Sequence, residues 1–188
     1  MMIKPYAFLA VFSLCELVAG ATVIPRGVND VLSTIKTINN QCLTINHTLS
    51  GFEEGFSVTG TALKLQGQAT TLLDDINKGT TTVSKSSKLS SNDSATVANS
   101  VVSLSTTVYS LLDGFIAKKP VFDKAILDIG SASFLVEFDL KKLKNATASY
   151  GDAVVDVLSN DIEKVAPLMT GDLAFHFTEA IDVFKFKL

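Results

Sequence analysis

The sequence has few of the residues that cross-link chains, bind metals or catalyse reactions. Its 188 residues include two cysteines, two histidines, four prolines and no tryptophan. Cys15 lies in an N-terminal apolar run, so removal of that run leaves Cys42 alone, without an intramolecular disulfide partner. Neither His47 nor His176 belongs to a spacing typical of a metal site or of a Ser/His/Asp motif. We therefore expect no metal, no cofactor and no enzymatic activity, with Cys42 as a buried apolar residue.

The sequence also lacks a large excess of either positive or negative charge. The chain has 16 basic and 19 acidic residues, scattered along its length, and a net charge of −3. No basic patch points to nucleic acid or to an anionic membrane surface. Residues 183–188 are short and charged, unlike the long apolar tail of a GPI signal. The product is expected to be released and soluble.

The N-terminus has the pattern of a secretory signal peptide. Lys4 precedes an apolar run at 6–19 that is too short to span a bilayer, and small residues follow at 19–21. We predict a signal peptide at 1–21 and one mature domain at 22–188. No second apolar stretch is expected to reach membrane-spanning length.

Three sequons become usable for N-glycosylation if the chain is secreted. They lie at Asn46, Asn92 and Asn145. Asn92 is expected in a turn, Asn145 on the polar side of a helix, and Asn46 at the edge of an apolar stripe.

Apolar residues recur at steps of three and four along most of the mature chain. Five such stripes cover residues 28–49, 58–83, 97–115, 136–162 and 168–184. This is the periodicity of amphipathic helices rather than of half-buried strands. The sequence predicts an all-α, single-domain antiparallel helical bundle of about five main helices with a hydrophobic interior.

Local signals mark where these helices begin and end. Residues 51–55 separate the first two, and Ser90 can cap the third, with Asp93 three residues later. Pro120 suits the first turn of a new helix, as does Pro167, and residues 129–131 break the fourth region.

The interior of such a bundle is either a solid core or a channel. Small residues on the second helix would face large phenylalanines on later helices, and the two can interlock or leave space. Polar Ser105 and Gln68 fall on apolar faces. They either bond to the backbone or hold the carboxyl head of a ligand whose acyl chain the stripes enclose, with Ser105 the first choice.

The acyl chain is predicted to lie between consecutive antiparallel helices, because helices joined by short loops are normally neighbours. The predicted lining residues are Leu65, Ala69, Leu72 and Ile76, then Val101, Leu104, Val108 and Leu112, and in the fourth region Phe122, Leu135 and Phe138.

One segment carries a family resemblance. Residues 111–125, LLDGFIAKKPVFDKA, resemble the helical joint of the fungal hydrophobic surface-binding protein A family, also called cell wall galactomannoproteins. Weaker echoes are LKKLK at 140–144 and FTEAI at 177–181. The resemblance implies a secreted, often glycosylated five-helix bundle with a hydrophobic interior. Some members are implicated in binding hydrophobic surfaces and recruiting secreted hydrolases, and others sequester fatty acids. This chain lacks the Ser/Thr-rich stalk of the wall-anchored members, so covalent attachment to the wall is not expected.

Two hypotheses of function follow. The first is a secreted carrier that encloses a long-chain fatty acid or similar lipid. The second is an adhesin or surfactant that exposes its apolar faces at a hydrophobic surface, with non-covalent association with the cell wall. A cavity of acyl-chain length favours the carrier, and a solid core with an exposed apolar patch favours the adhesin. A plant-type helical enzyme inhibitor fits less well, because those usually carry paired cysteines.

Overall fold

Six helices and one short hairpin make up the part of the chain that this computed structural model describes, residues 27–127, 130–164 and 166–185. The predicted signal peptide lies outside these residues. The prediction of an all-α bundle is confirmed. The elements are α1 Val28–Ser50, α2 Val58–Val83, α3 Ser91–Lys124, β1 Ile126–Leu127, β2 Gly130–Ser131, α4 Ala132–Val157, α5 Asn160–Glu163 and α6 Ala166–Phe184.

Serine side chains fix the start of two long helices. The Ser90 hydroxyl accepts a hydrogen bond from the Asp93 amide at 3.2 Å and donates one to the Asp93 carboxylate at 2.8 Å. The Ser131 hydroxyl accepts from the Ser133 amide at 3.1 Å at the start of α4. Each cap satisfies an amide that has no partner within its helix, typically worth about 1 kcal/mol. The predicted cap at Ser90 is thus present.

The predicted helix boundary at Pro120 is wrong, because α3 runs through this proline to Lys124. Proline costs an interior helix one hydrogen bond and crowds the carbonyl four residues back. Little more than one turn follows it here, and that turn buries Phe122, which is 1% exposed. The chain reverses later, in the hairpin where Ile126 pairs with Ser131.

The five long helices form a closed ring. α1 packs against α2 and α3, α2 also packs against α4, and α6 packs against both α4 and α3. The order around the ring is therefore α1, α2, α4, α6, α3. Consecutive helices α2 and α3 have few contacts and lie across the ring from each other. The expectation that they are neighbours is wrong.

The connection between α2 and α3 crosses the end of the bundle instead of making a tight hairpin. Its Leu89 amide donates to the Val157 carbonyl at the end of α4, at 2.8 Å. Just inside α3, the buried Ser94 hydroxyl accepts from the Ser159 amide, also at 2.8 Å. These bonds tie the start of α3 to the far end of α4, which leaves α1 and α4 to flank α2.

A ring of five helices leaves more room at its centre than a four-helix bundle. With neighbouring axes about 10 Å apart, the centre of a regular five-sided ring lies about 8.5 Å from each axis, against about 7 Å for a square. Side chains reach roughly 5–6 Å from a helix axis. Space therefore remains along the middle wherever no large side chain fills it.

A cluster of aromatic side chains fills one end of the helical ring. The Phe122 ring centroid lies 4.6 Å from that of Phe52, 5.9 Å from that of Phe115 and 5.7 Å from that of Phe184. Phe52 comes from the loop after α1 and is fully buried. Because these rings come from two long helices, α3 and α6, and from the loop after α1, they close this end of the bundle.

Helix α3 is, among the described helices, the one long and apolar enough by length and composition to cross a membrane. Residues 94–112 carry no charged side chain. This corrects the expectation that no further stretch reaches that length. In the bundle, α3 buries Val97, Leu104 and Val108 on one face. Serine and threonine side chains cover the opposite face, as is usual for a core helix.

The first prediction tests the aromatic cluster. Phe122→Ala removes its central ring and should lower the free energy of unfolding by about 3–5 kcal/mol. Phe134→Ala is the matched control, because Phe134 is 63% exposed and its loss should change stability by no more than about 0.5 kcal/mol. Urea denaturation of both variants is the measurement. Equal effects of the two substitutions on the free energy of unfolding would contradict the conclusion that the aromatic cluster closes this end of the bundle.

Candidate functional site

A cavity of about 390 Å³ occupies the middle of the ring. One water molecule needs only about 10–15 Å³ by the same kind of measure, so the space is roughly 30 times larger. All five long helices contribute to its wall, which is mainly apolar. The residues from α1 and α2 are Ile38, Cys42, Leu72 and Ile76, and those from α3 include Val101, Leu104, Ser105, Val108, Leu111 and Leu112.

The predicted lining residues fall into two groups. The first group, on α2 and α3, lines the large cavity, and it consists of Leu72, Ile76, Val101, Leu104, Val108 and Leu112. The second group lines a separate space of only about 20 Å³ between α2, α3 and α4, and it consists of Leu65, Ala69, Phe122 and Leu135. That space holds about one water, so the second group belongs to the packed part of the interior.

Phe138 belongs to neither group. It is 50% exposed, and the Lys142 ammonium lies 4.0 Å from the centroid of its ring. The expectation that it faces inward is wrong, because Val136 and Leu140 take the inward positions on α4. A residue two places from each of them lies about 200° around the helix, on the outer face.

The two predicted polar anchors are placed differently. Ser105 lines the large cavity, and its hydroxyl donates to the Val101 carbonyl at 3.0 Å. An ionised carboxylate only accepts hydrogen bonds, so Ser105 could hold one only after breaking that bond. Gln68 lines neither cavity; its backbone carbonyl accepts from the Gln41 side chain at 2.9 Å. The Gln68 Oε1 atom is buried without a hydrogen-bond partner among the described residues.

Sequence reasoning missed the contributions of α1 and α6 to the wall, and it named α4 residues that do not line the large cavity. The residues it missed belong to recognised apolar stripes, so the signal for burial was present, but periodicity alone does not say which stripes share a cavity. The missed residues include Ile38, Cys42, Leu140, Leu143, Tyr150, Val154, Leu173 and Phe177.

Tyr150 holds three helices together at the wall. Its hydroxyl is hydrogen bonded to that of Thr34 in α1 at 2.7 Å. A Cβ atom at Gly79 in α2 would lie 3.0 Å from the Tyr150 ring, so a glycine lets α2 approach α4 here. Burial raises the pKa of the Tyr150 phenol to about 12, and the Thr34 hydrogen bond opposes this shift. The phenol is therefore neutral at physiological pH.

The exposed residues of the cavity wall are Ala148, Asp152 and Gly171, all on α4 or α6, so we infer that the mouth of the cavity lies at the seam between these two helices. The Lys144 ammonium donates to the Thr178 hydroxyl at 2.7 Å, and Glu137 acts electrostatically on Lys185, so the two helices run antiparallel. Extended along the two helices, this register places Ala148 level with Ala174 and Gly151 level with Gly171. All four line the cavity, and Ala148 and Gly171 are exposed.

The chain is similar to one known protein family and to several solved structures. The family model described as hydrophobic surface binding protein A matches residues 28–156. No curated protein sequence matches significantly. The crystal structure of Afmp4p in complex with palmitic acid is 28% identical, with a TM-score of 0.77 over 84% of this chain and 99% of that one.

Two further structures are similar in fold. Ligand binding domain 1 of the Penicillium marneffei MP1 protein, complexed with arachidonic acids, is 15% identical, with a TM-score of 0.77 over 86% of this chain and 100% of that one. Domain 2 of the same protein, complexed with multiple arachidonic acids, is 16% identical, with a TM-score of 0.77 over 87% of this chain and 99% of that one.

The second prediction uses Cys42 as a probe of the closed wall. Burial raises the pKa of its thiol from 9.0 to about 12, so at pH 8 almost all of it is the unreactive neutral form. Alkylation by N-ethylmaleimide should be about a thousandfold slower in the native protein than in urea, since the thiolate is the nucleophile. Mass spectrometry follows the reaction. Similar rates in both states would contradict a buried Cys42.

Proposed function

The chain belongs to the hydrophobic surface binding protein A family, and on that premise we propose that it is a secreted, non-enzymatic carrier of a long-chain fatty acid or similar lipid. The acyl chain lies inside the five-helix ring. The observation that carries the proposal is the 390 Å³ cavity, whose wall is mainly aliphatic and aromatic. Pockets of roughly 300–1,000 Å³ are typical of small-molecule sites.

The energetics favour an acyl chain as the occupant. Each methylene moved from water into an apolar site contributes about 0.8 kcal/mol. Leu104 and Val108 in α3 and Leu72 and Ile76 in α2 line the same cavity on helices that have few contacts with each other, and an acyl chain between them would contact both walls. A polar ligand would leave its hydrogen bonds unmade there, at a cost of roughly 1–3 kcal/mol for each group. The palmitic acid complex of Afmp4p supports the same class of ligand.

A second candidate function is adhesion to hydrophobic surfaces, with recruitment of secreted hydrolases. Several aromatic side chains favour it, because they are exposed without a role in the core: Phe134 at 63%, Phe138 at 50% and Phe175 at 59%. Phe134 and Phe138 are one turn apart on α4 and share a face. The large cavity favours the carrier over an adhesin with a solid core.

We place the protein outside the cell, released or held non-covalently at the wall. Asn92 lies in the first turn of α3 rather than in the expected turn before it. Asn92 and Asn145 are both exposed, so glycans there would not disturb the bundle. Asn46 is half-buried between α1 and α3, where its amide nitrogen lies 3.4 Å from the Ser110 hydroxyl. A glycan at Asn46 would break this contact, so Asn92 and Asn145 are the sites we expect to be modified.

The third prediction tests the site itself. Leu104→Trp puts an indole into the cavity and should weaken binding of palmitic acid to delipidated protein by at least tenfold. Its melting temperature should stay close to that of the wild type, because the cavity accepts the added volume. In a solid core the same overpacking costs about 1–3 kcal/mol. Calorimetric titration and thermal unfolding are the two measurements.

Val102→Trp is the matched control on the same helix, since Val102 is 52% exposed. It should leave both binding and stability unchanged. The wild-type chain has no tryptophan, so each variant also carries a single tryptophan that can be excited selectively, and only that at 104 should respond to ligand. A destabilised Leu104→Trp variant with unchanged affinity would show that the site is wrong.

A further inference from the structure

Two charged side chains, Lys144 and Asp152, occur among the described residues that line the cavity. Both belong to α4 at the seam with α6. They are eight residues apart, which corresponds to about 12 Å along a helix. The mouth therefore has a basic end and an acidic end, and the small residues Ala148 and Gly151 lie between them.

Lys144 has no acidic partner among the described residues. Its ammonium donates to the Thr178 hydroxyl, which in turn donates to the Ala174 carbonyl at 2.8 Å. An ammonium has three N–H donors, so two remain for a ligand. The nearby lysines on α4 are used differently: Lys141 pairs with Glu137 at 2.6 Å, and Lys142 covers the outward-facing Phe138.

A fatty-acid carboxylate has no comparable partner deeper in the cavity. The Ser105 hydroxyl already donates a hydrogen bond to the Val101 carbonyl, and the Tyr150 hydroxyl is already hydrogen bonded to that of Thr34. A carboxylate buried there would lose its hydration without compensation, which is strongly unfavourable. At the seam it keeps contact with water and gains a charge-assisted hydrogen bond.

Building on the proposed function, we propose that Lys144 binds the ligand's carboxylate, so that the fatty acid lies with its head at the α4–α6 seam and its chain in the ring. Asp152 repels the carboxylate from the other end of the mouth. Lys144 and Ala148 are i,i+4 neighbours on one face, so the ammonium stands directly beside the gap between the helices. The site then selects free acids over neutral lipids with the same chain.

The test compares palmitic acid with methyl palmitate on delipidated full-length mature protein. We expect the wild type to bind the acid at least fivefold more tightly than the ester, within the range for a partly exposed charge pair. Lys144→Met should reduce this preference to less than twofold and leave the affinity for the ester unchanged. Lys144→Arg should retain the preference, because it keeps the charge.

Lys141→Met is the matched control, three residues away on the same helix but outside the cavity wall, and it should keep the wild-type preference. Equal binding of acid and ester by the wild type, or full preference in Lys144→Met, overturns the role of Lys144 and leaves the carrier function standing. A variant that loses both ligands also overturns it, since Lys144 would then support the fold. If the wild type binds neither ligand saturably, the proposed function itself fails.

Discussion

The separation of α2 from α3 is the constraint on which the rest of the structure depends. These consecutive helices would normally pair, and the bundle would then close around a solid core. Instead, the Leu89 amide and the Ser94 hydroxyl bind the end of α4 and carry the start of α3 away from α2. Five long helices then share one ring, and its middle is too wide for the side chains of most turns to fill.

The two ends of the helical ring differ in packing: one is filled by aromatic side chains and the other encloses a cavity. At one end, Phe52, Phe115, Phe122 and Phe184 pack together and leave only a space of about 20 Å³ beside them. Toward the other end the wall is built from smaller aliphatic side chains, and the space grows to about 390 Å³. The aromatic cluster therefore contributes mainly to the stability of the bundle, whereas the residues around the cavity provide space for a ligand. For this reason a substitution at Leu104 is expected to affect binding without affecting folding.

Local patterns in the sequence were sufficient to predict where the helices lie along the chain, but not how the helices pack against each other. Apolar spacing identified the buried faces of all five long helices, and Ser90 marked the start of α3, because both signals act within one or two turns. The same spacing placed Leu65 and Leu72 on one face of α2 but could not tell that they reach different cavities. Phe138 is large and apolar, which favours an inward position, but it lies two residues from the inward-facing Val136 and is therefore on the opposite side of α4. Pro120 was predicted to begin a new helix, but α3 continues through it because the burial of Phe122 offsets the free-energy cost of a proline inside a helix.

The polar residues show a similar limit. Ser105 looked like an anchor because it lies on an apolar face, but a helical serine often bonds to the carbonyl four residues back, as it does here. No local pattern in the sequence distinguishes Lys144 from the neighbouring Lys141 and Lys142. The place of Lys144 at the mouth follows from the register of α4 on α6, a long-range feature that no local pattern contains.

The most direct test of the central claim is to locate a bound acyl chain by isotope-filtered NOE spectroscopy. Delipidated protein with labelled Ile, Leu and Val methyl groups would be mixed with unlabelled palmitic acid. The account predicts NOEs from the chain methylenes to Ile76, Leu104 and Val108, which line the cavity from opposite sides. NOEs confined to outward-facing residues such as Leu63 and Val102, both about half exposed, would contradict it.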